Sequence, residues 1–346
     1  MNNKPKIYAI DAMRTISILA VILIHTTTRT IEATHNNLTG FPWTLFLNQI
    51  SRFAVPLFFI ISGFVLELNY NYHNSYLSFF KKRVSTILVP YVFWSLIYYY
   101  FVYTQNTDSL YWVFFTGNAS YQLYFIPTVA IFYLTFPFLH KVHKLITSVL
   151  IMVPLAIWQI SLLYHDYFIK QFRFQDPIRI TILNFFVFIF GMYAARNIDK
   201  ILEFVKKWKY FFLLTTIAMG VYVFFEGKID YQSTGNYLAF YSQWRPSVLI
   251  YSLSLFAFLL YFFSKPHRQL AIFEHISRLS YPAFFIHVIV LEQTWKYIGL
   301  TIFNLIRDNI FGKIIFDPLF FLIVATISFL ICTLFRKIRL LPKITG

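Results

Sequence analysis

Residues 10–25 read Ile10-Asp11-Ala12-Met13-Arg14-Thr15-Ile16-Ser17-Ile18-Leu19-Ala20-Val21-Ile22-Leu23-Ile24-His25. With its flanks this run is long enough to cross a bilayer, which takes ~20 mostly apolar residues. It nevertheless carries ionisable groups, each of which costs about 3 kcal/mol at mid-membrane unless it lines a cavity or finds a partner. His25 follows Arg14 by eleven positions. On a helix of 3.6 residues per turn that is three turns plus ~20°, and at 1.5 Å per residue it is ~16 Å. Arg14 and His25 therefore share one face, with Asp11 one turn before Arg14 on the same face. An Asp11–Arg14 pair at the interface, with His25 a satisfied core residue, is the plainer explanation of the same pattern.

The rest of the chain agrees with a membrane protein. Of 346 residues 58% are hydrophobic and 13% charged, against about 45–50% and 25% in soluble domains. The 43 Phe and 25 Tyr suit a bilayer, which takes Phe in its core and Tyr at its interfaces. Apolar segments recur at roughly 7–28, 42–68, 84–103, 120–139, 145–164, 179–195, 209–226, 246–263, 280–298 and 317–335. The expected fold is all-α, a polytopic transmembrane helical bundle of about ten spans, forming one domain over 1–346. The segment at 145–164, with Pro154 and Gln159, is the least regular of the ten. The basic start followed by an apolar run without a small-residue cleavage site reads as a retained first helix.

Charge orients the bundle. With the N-terminus in the cytoplasm, the inner segments hold Lys4 and Lys6, then Lys81, Lys82 and Arg83, then Lys141 and Lys144. Arg196, Lys206 and Lys207 follow, then Lys265 and Arg268, and finally Arg336 and Lys337. Every inner loop is basic, as the positive-inside rule requires, and an even number of spans puts both termini on the cytoplasmic side of the cell membrane. The net charge of +16 is thus a topology signal, and no nucleic-acid partner is expected. The single cysteine, Cys332, excludes an internal disulfide and a cysteine-built zinc site; no metal is expected.

Outward from the first span, VPLFFIISGFVLEL (55–68) contains the small pair Ser62-Gly63, which permits close helix approach, and ends at Glu67. Glu67 would lie at the inner end, within reach of Lys82 or Arg83. Arg52 sits near the outer end and reads as a snorkelling cation. KKRVSTILVPYVFW (81–94) sets three cations at the inner mouth of the third span. Each alone is an ordinary anchor. With Arg14 they make an electropositive funnel suited to a phosphate-rich cytosolic ligand. LYFIPTVAIFYL (123–134), FFVFIFGMYAAR (185–196) and LSYPAFFIH (279–287) complete the series, the last placing His287 in mid-membrane. His287 reads equally as a helix-bonded structural residue and as a functional one.

In order and over nearly the whole chain, these segments resemble the acyltransferase-3 family of integral-membrane O-acyltransferases, which modify bacterial envelope and exported polysaccharides. The resemblance implies an acyl-CoA donor, usually acetyl-CoA, and a glycan acceptor. It implies His25 and Arg14 as catalytic, with Arg14, Lys81, Lys82 and Arg83 holding the donor. Asp11, Ser62, Glu67 and His287 are supporting candidates. The family's Arg-x-x-Arg at the third span departs here to Arg83-Val84-Ser85-Thr86, and a lysine cannot replace the missing bidentate fork. A neutral His25 would act as general base or transient acyl carrier. A membrane transporter or exporter of a polysaccharide or small solute is the alternative, since carriers also need ionisable groups in their spans. No inverted repeat or pair of broken helices marks one.

Overall fold

The computed structural model describes residues 7–34, 41–70, 75–105, 107–142, 148–169, 177–234, 242–265, 271–306 and 309–337. No strand occurs among them. In chain order the helices are α1 (Tyr8–Thr34), α2 (Phe41–Ile50), α3 (Ala54–Asn69), α4 (Tyr76–Val102), α5 (Leu110–Thr116) and α6 (Phe125–Lys141). They continue as α7 (Val149–Tyr164), α8 (Pro177–Leu183), α9 (Phe185–Arg196), α10 (Ile198–Lys207) and α11 (Lys209–Thr234). The last are α12 (Pro246–Phe263), α13 (Ala271–Thr294), α14 (Leu300–Ile306) and α15 (Ile310–Lys337).

Seven helical stretches are long and apolar enough to cross a membrane, or eight if the bent pair α8–α9 counts as one span. The other two expected spans fall short for visible reasons. α6 is apolar but only 17 residues long. α13 carries Glu274, His275, Arg278, His287 and Glu292, which dilute its hydropathy. The chain separates into two compact units, Met1–Phe58 with Asp199–Cys332, and Phe59–Ile198 with Thr333–Gly346.

In the first unit α1 packs against α13, α2 and α12, and α11 lies against α12 and α2. Met13, Ile18 and Ile22 of α1 are buried with Phe285, Val288 and Leu291 of α13 and Phe256 and Leu260 of α12. Pro56 explains the gap between α2 and α3. It has no N–H to offer the carbonyl of Arg52, four residues earlier. The chain instead tightens, with Arg52 N–H donating to Gln49 C=O and Ala54 N–H to Ser51 C=O, both at 3.1 Å.

The second unit turns on two glycines. A Cβ at Gly63 would meet the Phe188 carbonyl oxygen at 2.1 Å, and one at Gly191 would meet the Ile60 carbonyl oxygen at 2.0 Å. The backbones of α3 and α9 are thus in direct contact, the close approach expected of small residues between membrane helices. Phe132 and Phe188 stack beside this crossing with centroids 4.3 Å apart. The 52° break between α8 and α9 is closed by fully buried Gln159 of α7. Its Nε2 donates to Leu183 C=O, and its Oε1 accepts from Phe186 N–H, both at 3.0 Å. In α4 the ring of Pro90 follows a wide turn at Val84–Leu88, where Val89 N–H reaches Val84 C=O across five residues. A second wide turn at Tyr98–Val102 ends the helix.

Candidate active site

In the first unit His25 meets His287. Their rings stack with centroids 5.3 Å apart and planes 29° from parallel. His287 lies one turn after Pro282, fully buried. Its Nδ1–H donates to the Ala283 carbonyl at 2.9 Å, which leaves Nε2 as the lone-pair nitrogen of a neutral ring. That Nε2 is buried and has no hydrogen-bond partner among the described residues, an uncommon condition for a polar atom inside a protein. His25 is partly buried as a residue, and His287 fully so.

Three more polar side chains frame His25. Arg52 and Arg29 both lie within electrostatic reach of it. Arg29 pairs with Glu32 at 2.9 Å and with Glu292 of α13. Arg52 is 4% exposed and donates through Nε to Asn48 Oδ1 at 3.1 Å. It is therefore a buried residue of the site and does not snorkel, because the Pro56 break turns it inward. Asn48, fully buried, directs its Nδ2 at Ile24 C=O and at the hydroxyls of Thr27 and Thr28, at 3.0–3.1 Å. Arg14 is partly exposed on α1, three turns before His25. Asp11 accepts from the Ser277 hydroxyl at 2.7 Å, and Thr15 donates to Phe273 C=O at 2.8 Å. These bonds tie the first turns of α1 to α13.

The second unit holds the other expected residues. Lys81 and Lys82 are exposed. The Arg83 guanidinium sits over the rings of Phe79 and Tyr133, at 5.3 and 5.2 Å from their centroids. The hydroxyls of Ser85 and Thr86 turn back to Lys82 C=O at 3.0 and 2.9 Å. Glu67 does not pair with Lys82 or Arg83. It pairs with Arg196 and lies 3.1 Å from His140 Nδ1, because α3, α6 and α9 converge there. Ser62 is half-buried beside Gly63, which puts it at the packing contact.

Sequence reading missed a polar layer in the first unit. Arg245, fully buried, pairs with Glu226 at 3.0 Å and donates to Gln49. Asp317 accepts from Thr44 at 2.6 Å, and Lys313, one turn earlier on α15, is fully buried too. The only available signal was the presence of Arg, Glu, Lys and Asp in otherwise apolar segments.

The arrangement is a histidine pair inside a helical bundle with guanidinium groups about it. Residues 7–337 match the family model described as "Acyltransferase domain", and the chain belongs to the acyltransferase-3 family. It is 26% identical over 318 residues to a Staphylococcus aureus (strain MSSA476) protein named "Probable poly-beta-1,6-N-acetyl-D-glucosamine export protein", covering 86% of this chain and 84% of that one. A Staphylococcus epidermidis protein of the same name is 24% identical over 282 residues, covering 76% and 74%. No solved structure matches.

Proposed function

We propose that the chain is a multi-pass enzyme of the cytoplasmic membrane, with about ten spans and both termini inside. It moves an acyl group, acetyl from acetyl-CoA, to a hydroxyl of an extracytoplasmic or lipid-linked glycan. The observation that carries this reading is the His25–His287 stack, with Arg14 three turns away on the same face of α1. The basic inner loops supply the orientation, and the glycan acceptor agrees with the polymer in the relatives' names.

In this scheme Arg14 takes the donor's phosphates, and the donor's thioester reaches His25, three turns on along α1. The acceptor hydroxyl gives its proton to His25 as its oxygen bonds to the thioester carbon. Arg52, beside His25, offsets charge on the carbonyl oxygen. The carbon–sulfur bond then breaks, and the thiolate takes the proton from His25 and leaves as CoA thiol. The His287 ring, stacked on that of His25, fixes its position. In the covalent variant His25 carries the acyl group first and passes it to the acceptor hydroxyl. The test uses vesicles containing the purified protein and labelled acetyl-CoA on the face that bears Lys81, with glycan on the other. Label enters the glycan with wild type and falls at least a hundredfold with His25→Ala. Undiminished labelling by a folded His25→Ala protein refutes the scheme.

The relatives' names favour a second reading, export of the glycan itself. Lys313 and Asp317, charged residues buried in α15, are of the kind that line transport pathways. Glycan that crosses the vesicle membrane without gaining label would favour it.

A further inference from the structure

At the end of α4 opposite Lys81, Lys82 and Arg83, the second unit holds an open groove of about 480 Å³. That size falls among small-molecule sites, ~300–1,000 Å³. Val102 and Ala119 line it together with Tyr103, Thr104, Gln105, Asn118, Ser120 and Tyr121; none of these is acidic or basic, and the nearby Asp108 carboxylate accepts from Asn118 Nδ2 at 3.4 Å. The rings of Tyr103 and Tyr121 stand 6.4 Å apart at 60°, two faces meeting at an angle. Tyr98 backs Tyr103 in a stack at 6.2 Å.

The walls are held in place. Gly117 adopts φ +83, and a Cβ there would meet Tyr124 N at 2.5 Å, so only glycine makes this turn out of α5. The Tyr91 hydroxyl donates to Phe114 C=O at 2.8 Å and that of Tyr99 to Asp108 C=O at 3.0 Å, which fastens α5 and its approach to α4. Leu123 N–H closes a turn on Ser120 C=O at 2.9 Å. Next to Tyr121, Gln122 is 3% exposed with its Nε2 unpartnered, a spare donor beside the groove.

We propose that this groove binds a short segment of uncharged glycan. Amide and hydroxyl side chains match sugar hydroxyls as donors and acceptors, and tyrosine faces stack on the C–H face of a pyranose ring. The lack of cations among the lining residues disfavours a phosphate-rich donor. That the groove faces the acceptor side rests on the orientation proposed above.

The test is isothermal titration of the full chain in nanodiscs with a β-linked N-acetylglucosamine pentamer, a neutral probe, and with oligogalacturonate as an anionic control. The pentamer binds wild type and His25→Ala alike, and the anion does not bind. Tyr121→Ala and Gln105→Ala each weaken pentamer binding at least fivefold, whereas Tyr100→Ala, outside the groove, leaves it unchanged. Gln105 is exposed, so its variant reports on binding without disturbing the fold. Absence of pentamer binding to wild type overturns the proposal, as does undiminished binding by Gln105→Ala and Tyr121→Ala proteins that melt like wild type. Loss of binding in His25→Ala would also overturn it, by placing the glycan elsewhere. Full acyl transfer by His25→Ala would overturn the acyltransferase scheme and leave this site standing.

Discussion

Gly63→Ala is the substitution whose effect the structure sets most directly. The new Cβ would stand 2.1 Å from the Phe188 carbonyl oxygen, where real Cβ contacts do not fall below 3.0 Å. The helices α3 and α9 must therefore part by at least 0.9 Å there (3.0 minus 2.1). Gly191→Ala asks for at least 1.0 Å (3.0 minus 2.0) against the Ile60 carbonyl oxygen. Neither obstacle is a flexible side chain, so each variant pulls apart two backbones and loosens the Phe132–Phe188 stack beside them. Overpacking of this kind destabilises by about 1–3 kcal/mol. One displacement relieves both clashes, so the double variant should cost about as much as the worse single one, falling short of the sum by about 1 kcal/mol or more. Reversible unfolding in mixed micelles measures all four proteins. The same parting draws Glu67 of α3 from Arg196 of α9, so the singles should also lose that pair in a cycle with Arg196→Met. Wild-type stability for Gly63→Ala, or strict additivity of the two glycine variants, would refute the backbone-contact argument.

Two further outcomes follow from single side chains. Gln159→Leu leaves the Leu183 carbonyl and the Phe186 N–H without partners at the α8–α9 break, and should lower stability by about 1–3 kcal/mol, read by the same unfolding assay; Gln159→Glu, which keeps the acceptor alone, should fall between. His287→Phe keeps a ring beside His25 and removes the orphaned Nε2, so the melting temperature should hold or rise while kcat for acyl transfer drops ~10²-fold; a purely structural histidine would show the reverse, a lower melting temperature with kcat kept.

The parts that were legible in the sequence are those governed by local periodicity. The common face of Arg14 and His25 follows from helix pitch alone, and the small pair Ser62-Gly63 marked a close crossing before its partner, Gly191, was known. What was not legible depends on contacts between residues far apart in the chain. His287 was visible as a mid-membrane histidine, but not as the ring stacked on His25, 262 positions away. Glu67 was matched to the cations nearest in sequence, whereas convergence of α3, α6 and α9 gives it Arg196 and His140. Of the ten expected spans, α6 misses the length test and α13 the hydropathy test. Such tests cannot tell a short or charge-bearing span from a helix that does not cross.

Arg52 shows most clearly why the site is built as it is. By hydropathy it lies near a helix end, where a long cation ordinarily reaches for water. Pro56 removes the bond that would have received the Arg52 carbonyl, the helix breaks there, and the side chain is delivered to the interior. Burying a guanidinium is tolerable only with polar partners, and Asn48 supplies them one turn earlier. Its Oδ1 takes Arg52, and its Nδ2 grips α1 at Ile24, Thr27 and Thr28, the residues on either side of His25. One asparagine thus fixes both the cation and the stretch of α1 that presents the histidine. Simple packing has no need for a buried charge held at that spot. The proposed acyl transfer, which develops negative charge on an oxygen beside His25, would use one there.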